Sequence, residues 1–189
     1  MRIIGGSHAG LRLQPPTSLP VRPTTDMAKE ALFNVLQHRI DFDGVDVLDL
    51  CAGTGNVTFE IASRGAGRIT AVDIHFKCIQ YINSTARKLD LVSVKGVRAD
   101  VLKFIASCKD PFDFIFADPP YEMPQLPDIP RRIFDGGLLK PGGWLVLEHA
   151  TTRKIPVHMH LVETRKYGYS SFSFYQYERN GNQQLENDK

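Results

Sequence analysis

The chain lacks the features that mark membrane and secreted proteins. No apolar run approaches the ~18 residues that a membrane-spanning helix needs, and no signal-peptide apolar region follows Arg2. Cysteine is scarce: Cys51, Cys78 and Cys108 are odd in number and far apart in sequence. This pattern favours reduced thiols over a disulfide framework. We therefore expect a cytoplasmic protein.

An excess of charge of one sign is also missing. The formal net charge is +2, from 23 basic and 21 acidic residues, so no dominant basic field indicates nucleic-acid binding. The apolar fraction of 42% and the charged fraction of 23% are ordinary for a globular protein. With 189 residues the chain is long enough for one domain with a substantial core. Function must therefore be sought in motifs.

The most informative motif is Asp118-Pro119-Pro120-Tyr121, which follows the apolar run 112–117. The run predicts a strand buried on both faces, and the prolines must end it. The Asp118 carboxylate and the Pro119 carbonyl are both acceptors, so together they suit an amine with two N–H donors. Tyr121 can stack on a nucleobase. The alternative is that Asp118 caps a helix and that Tyr121 belongs to the core.

A glycine-containing turn lies between a first predicted strand, 45–50, and a helix over 57–64. Thr58 stands where a dinucleotide-binding fingerprint has its third glycine. An acid at Asp49 would repel a pyrophosphate but attract an ammonium group. The turn therefore favours a cofactor with an amino-acid end and disfavours a dehydrogenase.

Two more acids follow predicted strands. Asp73 ends the strand 68–73, where it can accept both hydroxyls of a ribose. Asp100 follows the strand 94–97, where it can accept the amine of adenine. Each can instead cap the next helix. Strand–helix units in succession predict a parallel sheet. Four acids at strand ends should therefore lie along one edge of this sheet: Asp49, Asp73, Asp100 and Asp118.

Both ends of the chain differ from this middle part. Residues 1–25 are basic and turn-rich, and a hairpin is expected over 2–13. This segment either contacts RNA phosphates or packs as a solvated arm on the edge of the domain. Thr24 or Thr25 is expected to cap the next helix. Towards the other end, Pro141-Gly142-Gly143 predicts a turn into a strand over 144–148. The segments 161–167 and 171–177 predict an antiparallel pair, and 180–189 a disordered tail.

The pair His158 and His160 has no third ligand nearby, so no metal site is predicted.

The Asp-Pro-Pro-Tyr sequence after a buried strand resembles the signature of amino methyltransferases, which methylate amine or amide nitrogens with S-adenosylmethionine. The stretches 2–6, 22–26 and 30–34 are similar to those of the bacterial 16S rRNA guanine-N2 methyltransferases of the small-subunit methyltransferase D family. The resemblance covers roughly residues 1–177. Cys51 departs from it, because an aromatic residue is common there, and so does Asp73, where glutamate is usual.

The resemblance implies an α/β, Rossmann-like class I methyltransferase. Its sheet has seven mostly parallel strands with an antiparallel C-terminal pair, and a short hairpin precedes it. We divide the chain into a basic arm (1–25), an S-adenosylmethionine-dependent methyltransferase domain (26–179) and a tail (180–189). The implied substrate is the N2 amine of a guanine in 16S rRNA, in a partly or fully assembled small subunit.

The resemblance also assigns site residues. The cofactor-binding set is Thr24, Asp49, Cys51, Ala52, Gly53, Thr54, Gly55, Asp73, Ile74, Asp100 and Val101. The catalytic set is Asp118, Pro119, Pro120 and Tyr121. The RNA-binding set is Arg2, His8, Arg12 and Arg22.

Three other functions stay open. An adenine-N6 DNA or RNA methyltransferase uses the same chemistry, although such enzymes usually carry a separate recognition region. A protein-glutamine methyltransferase is disfavoured because that group typically has Asn before the prolines. A module that binds S-adenosylmethionine or RNA without turnover would carry the same motifs.

Overall fold

The computed structural model describes residues 1–21 and 25–178, and its elements alternate between strands and helices. The strands are β1 (Asp46–Leu50), β2 (Arg68–Asp73), β3 (Val94–Arg98), β4 (Phe112–Ala117), β5 (Leu139–Ala150), β6 (Leu161–Tyr167) and β7 (Ser170–Gln176). The helices are α1 (Asp26–Leu36), α2 (Asn56–Ser63), α3 (Phe76–Lys88), α4 (Val101–Ser107) and α5 (Ile129–Asp135). Short 3₁₀ turns cover Gly6–His8 and Leu126–Asp128.

All seven strands form one sheet in the order β3-β2-β1-β4-β5-β7-β6. The first five strands pair in parallel, and β7 pairs antiparallel with both β5 and β6. Helices connect the first four strands, as right-handed crossovers of a parallel sheet require. The predicted fold class is therefore confirmed.

The register of the parallel strands brings their carboxyl ends to one edge. Leu50, the last residue of β1, pairs with both Val72 and Ala117. Asp73, the last residue of β2, pairs with Arg98, the last residue of β3. The segments that follow these strands therefore start side by side, at the edge where open α/β sheets bind ligands.

Hydrophobic packing on both faces fixes the sheet in place. Along β4, Phe114 and Phe116 enter one core cluster, whereas Ile115 and Ala117 enter the cluster on the other face. All four side chains are buried, which is the two-sided burial that the apolar run predicted. The strand that carries the Asp-Pro-Pro-Tyr loop is thus held from both sides.

Strand β5 differs from its prediction. Pro141-Gly142-Gly143 was expected to form a turn before the strand, but these residues lie inside β5. The Gly142 N–H donates to the Tyr177 carbonyl over 2.6 Å, and the Tyr177 N–H donates to the Gly143 carbonyl over 2.9 Å. The turn prediction was wrong because these long-range bonds extend the strand across an irregular part of its pairing with β4.

The N-terminal hairpin is packed against the domain. Arg2 and Arg12 form an antiparallel bridge, and the Ile3 N–H donates to the Leu11 carbonyl over 2.9 Å. Ile3 is part of the core, with 1% of its surface exposed. Within the described residues, every helix is too short or too polar to cross a bilayer.

The predictions for Arg22, Thr24 and the tail 180–189 lie outside the described residues. At the start of α1, Thr25 is the cap: its hydroxyl accepts a hydrogen bond from the Ala28 N–H over 3.2 Å. Met27, in the first turn of α1, is 82% exposed.

Candidate active site

The acids at the strand ends surround Cys51, the residue that follows β1. Cys51 has a φ of 63°, which is uncommon for a residue other than glycine and often marks a functional loop. Burial raises the pKa of its thiol, and four carboxylates raise it further. We call these four residues the strand-end acids: Asp49, Asp73, Asp100 and Asp118. The structure therefore brings together the four acids that the sequence placed at one edge.

Asp73 holds the glycine-containing loop that follows β1. Its Oδ2 accepts a hydrogen bond from the Gly53 N–H over 2.9 Å, and its Oδ1 accepts one from the His75 N–H over 2.8 Å. Gly55 has a φ of 73°, and a Cβ at this position would come within 2.8 Å of the Phe59 ring. The loop conformation thus depends on this glycine and on the carboxylate at the end of β2.

Asp49 is buried, with 1% of its surface exposed. The Thr58 hydroxyl donates a hydrogen bond to Asp49 Oδ2 over 2.5 Å. Thr58, which stands in place of the third glycine of a dinucleotide-binding motif, is therefore the hydrogen-bond partner of Asp49. Burial raises the pKa of Asp49 to about 7. A positive group placed beside Asp49 would stabilise its ionised form.

Asp100 shows the capping role that was the alternative to cofactor binding. Its Oδ1 accepts hydrogen bonds from the Leu102 and Lys103 N–H groups, each over 3.0 Å, at the start of α4. A contact between Asp100 and adenine stays a prediction, as do the cofactor contacts of Ala52, Thr54, Ile74 and Val101.

The Asp-Pro-Pro-Tyr loop begins with a backbone hydrogen bond to the neighbouring strand. The Asp118 N–H donates to the Leu50 carbonyl over 3.1 Å, which fixes this acid beside the loop that follows β1. Pro119 is buried and Pro120 is exposed. Burial, with the nearby charges of Glu148 and Asp49, raises the pKa of Asp118 well above its ordinary value.

Glu148 of β5 belongs to this site and was assigned no role from the sequence. It is 4% exposed, and its Oε1 accepts a hydrogen bond from the Tyr121 hydroxyl over 2.9 Å. The Ser170 hydroxyl lies 2.6 Å from the same tyrosine oxygen. The available signal was that Glu148, like the four acids, follows a buried apolar strand segment.

The N-terminal hairpin carries the residues proposed to contact RNA and touches the predicted cofactor loop through Met1. Arg2 is partly exposed, Arg12 is exposed, and the His8 N–H donates to the Ser63 hydroxyl over 2.9 Å. The Thr54 hydroxyl lies 3.4 Å from the Met1 sulfur. The hairpin and the predicted cofactor loop are therefore in direct contact.

The chemistry of the site fits S-adenosylmethionine, which carries a sulfonium and an ammonium. No ion pair joins any of the strand-end acids to a basic side chain in residues 1–21 and 25–178. Carboxylates gathered at a buried edge are costly unless a cation compensates them. Asp49 and Asp73 would hold this cofactor beside the loop 51–55.

No group of three or more His, Cys, Asp or Glu side chains with metal-binding geometry occurs in the described part of the chain. His158 and His160 instead stack on Phe134, with ring centroids 4.8 and 4.4 Å from its ring.

The fold and the site together define a class I, Rossmann-like methyltransferase. The chain belongs to the family described as "Conserved hypothetical protein 95", whose model matches residues 1–176. The prediction of this fold is confirmed, and the predicted cofactor is supported by a neighbour of the same fold, "Crystal structure of SMU.776, a putative methyltransferase complexed with SAH", which matches with a TM-score of 0.62 at 14% identity and covers 71% of this chain and 46% of that one.

Individual proteins match over nearly the whole chain. The chain is 36% identical over 182 residues to "Putative rRNA methyltransferase YlbH" of Bacillus subtilis, covering 93% of this chain and 98% of the relative. It is 29% identical over 186 residues to "Ribosomal RNA small subunit methyltransferase D" of Escherichia coli K12, covering 96% and 92%. Among solved structures, "Putative methyltransferase yhhF from Escherichia coli" matches with a TM-score of 0.82 at 27% identity, covering 95% of this chain and 98% of that one.

Proposed function

We propose that this chain transfers the methyl group of S-adenosylmethionine to the N2 amine of a guanine in small-subunit rRNA. The names of its relatives support the rRNA part of this proposal. The structural observation that carries it is the 3.1 Å bond from the Asp118 N–H to the Leu50 carbonyl. This bond supports the proposal because it holds Asp118, the proposed acceptor for the amine, next to the loop that would hold the methyl donor.

The reaction depends on positioning. When bound, the cofactor supplies an electrophilic methyl group. Asp118 and the Pro119 carbonyl accept hydrogen bonds from the two amine hydrogens and so direct the nitrogen lone pair away from themselves. The Tyr121 ring stacks on the extruded base. Positioning of this kind can supply ~7–11 kcal/mol of the barrier reduction.

Asp118 also has a role after methyl transfer. The methylated amine must lose one proton, and a half-buried carboxylate with a raised pKa accepts a proton readily. No stronger base is needed before the attack, because the amine reacts in its neutral form.

The rRNA contacts fall to the N-terminal hairpin, where Arg2, Arg12 and His8 can meet phosphates. The net charge of +2 is low for an RNA enzyme, which fits a substrate presented in part by ribosomal proteins, within a partly or fully assembled small subunit. We place this activity in the cytoplasm.

The test is mass mapping of rRNA nucleosides from cells that lack this protein. We expect one N2-methylguanosine of small-subunit rRNA to disappear, and purified protein with labelled S-adenosylmethionine to restore it on subunits from those cells. Loss of an N6-methyladenosine would instead support the adenine alternative. Binding of the cofactor and rRNA without transfer of label would support a non-catalytic module.

A further inference from the structure

Glu148 has an unused buried acceptor atom. Its Oε1 is occupied by the Tyr121 hydroxyl at 2.9 Å, but its Oε2 is buried and has no hydrogen-bond partner among the described residues. Buried polar atoms almost always have a partner in a folded protein. An exception beside a catalytic loop suggests that the missing partner is a ligand.

The sheet register places Glu148 beside Asp118. Leu147 pairs with Ala117, the last residue of β4, so Glu148 and Asp118 occupy the next positions, where continued strand alternation directs both side chains to the same face. The charge of Glu148 is, after burial, the main cause of the raised pKa of Asp118. Two carboxylates therefore face the same part of the site.

Two adjacent acceptors match one edge of guanine and not that of adenine. In guanine the N2 amine lies beside the N1–H, so these two neighbouring positions both present donors. In adenine the N6 amine lies beside a ring nitrogen with a lone pair, which a carboxylate would repel. We infer that Glu148 accepts a hydrogen bond from the N1–H of the target guanine while Asp118 holds its N2 amine, which makes Glu148 the residue that selects guanine over adenine.

The inference rests on the proposed function and adds to it the origin of base specificity. Tyr121 has a double role in this arrangement, because it stacks on the base and its hydroxyl orients Glu148. The Ser170 hydroxyl lies 2.6 Å from the same tyrosine oxygen and helps to fix it. Selection then depends partly on repulsion of the wrong base, which is an effective source of specificity.

The test compares guanosine with 2-aminopurine at the mapped target position in reconstituted small subunits. 2-Aminopurine keeps the 2-amino group but has a lone pair at N1 in place of the N–H. We expect the wild-type protein to prefer guanosine in kcat/KM by about 10- to 100-fold, the discrimination typical of a good base contact. Glu148→Ala and Glu148→Gln should reduce this preference to within a few-fold.

Asp49→Asn is the matched control, because it neutralises another buried acid of the same site on the cofactor side. It should lower kcat/KM for both substrates in parallel and leave their ratio unchanged. Calorimetric binding of S-adenosylmethionine to each Glu148 variant shows that the variant is folded.

The outcomes separate the inference from the proposed function. The inference is overturned if the wild-type protein has equal kcat/KM for guanosine and 2-aminopurine, or if both Glu148 variants keep the wild-type preference for guanosine. Either result leaves the proposed guanine-N2 activity unaffected. Failure of the wild-type protein to methylate the guanosine substrate overturns the proposed function, and the inference with it.

Discussion

Two buried glutamates in this molecule have opposite surroundings. Glu60 of α2 is 0% exposed and accepts hydrogen bonds from the Ile4 N–H over 2.8 Å and the Gly5 N–H over 2.9 Å. Arg64 and Lys29 form ion pairs with it, at 2.9 and 3.4 Å. Glu148 is almost as deeply buried, yet the described residues leave one of its oxygens without a partner.

The difference lies in the groups that compensate each carboxylate. Glu60 is compensated by protein atoms alone, and the groups that it binds anchor the N-terminal hairpin to α1 and α2. No basic side chain among the described residues pairs with Asp49, Asp118 or Glu148, and the carboxyl pKa of each is raised. Incomplete compensation at a sheet edge is what a site for a cation or a hydrogen-bond donor requires.

The largest effect is expected at the compensated glutamate. Glu60→Gln leaves the buried Lys29 ammonium without its counter-ion, so the free energy of unfolding in urea should fall by about 3–5 kcal/mol. The control is Glu30→Gln, because Glu30 is exposed and lies 3.9 Å from Arg2. That change should cost less than about 1 kcal/mol. Equal losses of unfolding free energy in the two variants would show that the buried charge of Glu60 stabilises the fold no more than the exposed charge of Glu30.

Asp49→Asn should have the opposite effect on stability. The raised pKa of about 7 favours the neutral acid in the folded chain, so its stabilising contribution is complete below about pH 4 and is lost as the pH rises through about 7. Since each pKa unit is worth about 1.36 kcal/mol, the variant should be more stable than wild type by up to about 4 kcal/mol at about pH 8. The measurement is the free energy of unfolding in urea across this pH range. The prediction is refuted if the free energies of wild type and Asp49→Asn change with pH in the same way.

Asp118→Ala should lower the rate of methyl transfer and not the affinity for the cofactor. Removal of a group that orients the reacting atom typically costs about 10²- to 10³-fold in rate. Label transfer to subunits measures the rate, and calorimetry measures binding of S-adenosylmethionine. A variant that keeps its fold but no longer binds the cofactor would move Asp118 from the catalytic loop into the cofactor site.

Tyr121→Phe should have the smallest effect, because it removes the hydroxyl bonds to Glu148 and Ser170 but keeps the ring. We expect kcat/KM to fall about 5- to 10-fold, the typical worth of one such hydrogen bond. Tyr121→Ala should cost more, since stacking is worth a further ~1–3 kcal/mol. Similar losses in the two variants would show that the ring does not stack on the substrate.

Much of the fold followed from local sequence patterns. The runs 68–73 and 112–117 were placed without error as β2 and β4, because apolar runs of strand length ended at an acid. The same acids marked the sheet edge and hence the site. The prediction of a turn at Pro141-Gly142-Gly143 was wrong because these residues form backbone hydrogen bonds with Tyr177, which is distant in sequence.

Local sequence patterns did not predict the contacts between elements that are distant in sequence. Glu148 and Tyr121 are 27 residues apart and meet only once β4 and β5 pair. Lys29 and Glu60 lie on different helices, so no spacing distinguished Glu60 from the exposed Glu30. Asp100 shows the converse, since its pattern fitted a cofactor contact and a helix cap equally well, and the cap is what the structure contains.

The central claim is that the buried Asp49 carboxyl holds a proton until a cationic cofactor replaces it. Calorimetry of S-adenosylmethionine binding, repeated at about pH 7 in buffers of different ionisation enthalpy, counts the protons released. With the pKa of Asp49 at about 7, we expect the wild-type protein to release roughly half a proton or more per cofactor bound, and Asp49→Asn to release fewer. Binding without proton release, or equal release by the two proteins, would contradict the claim.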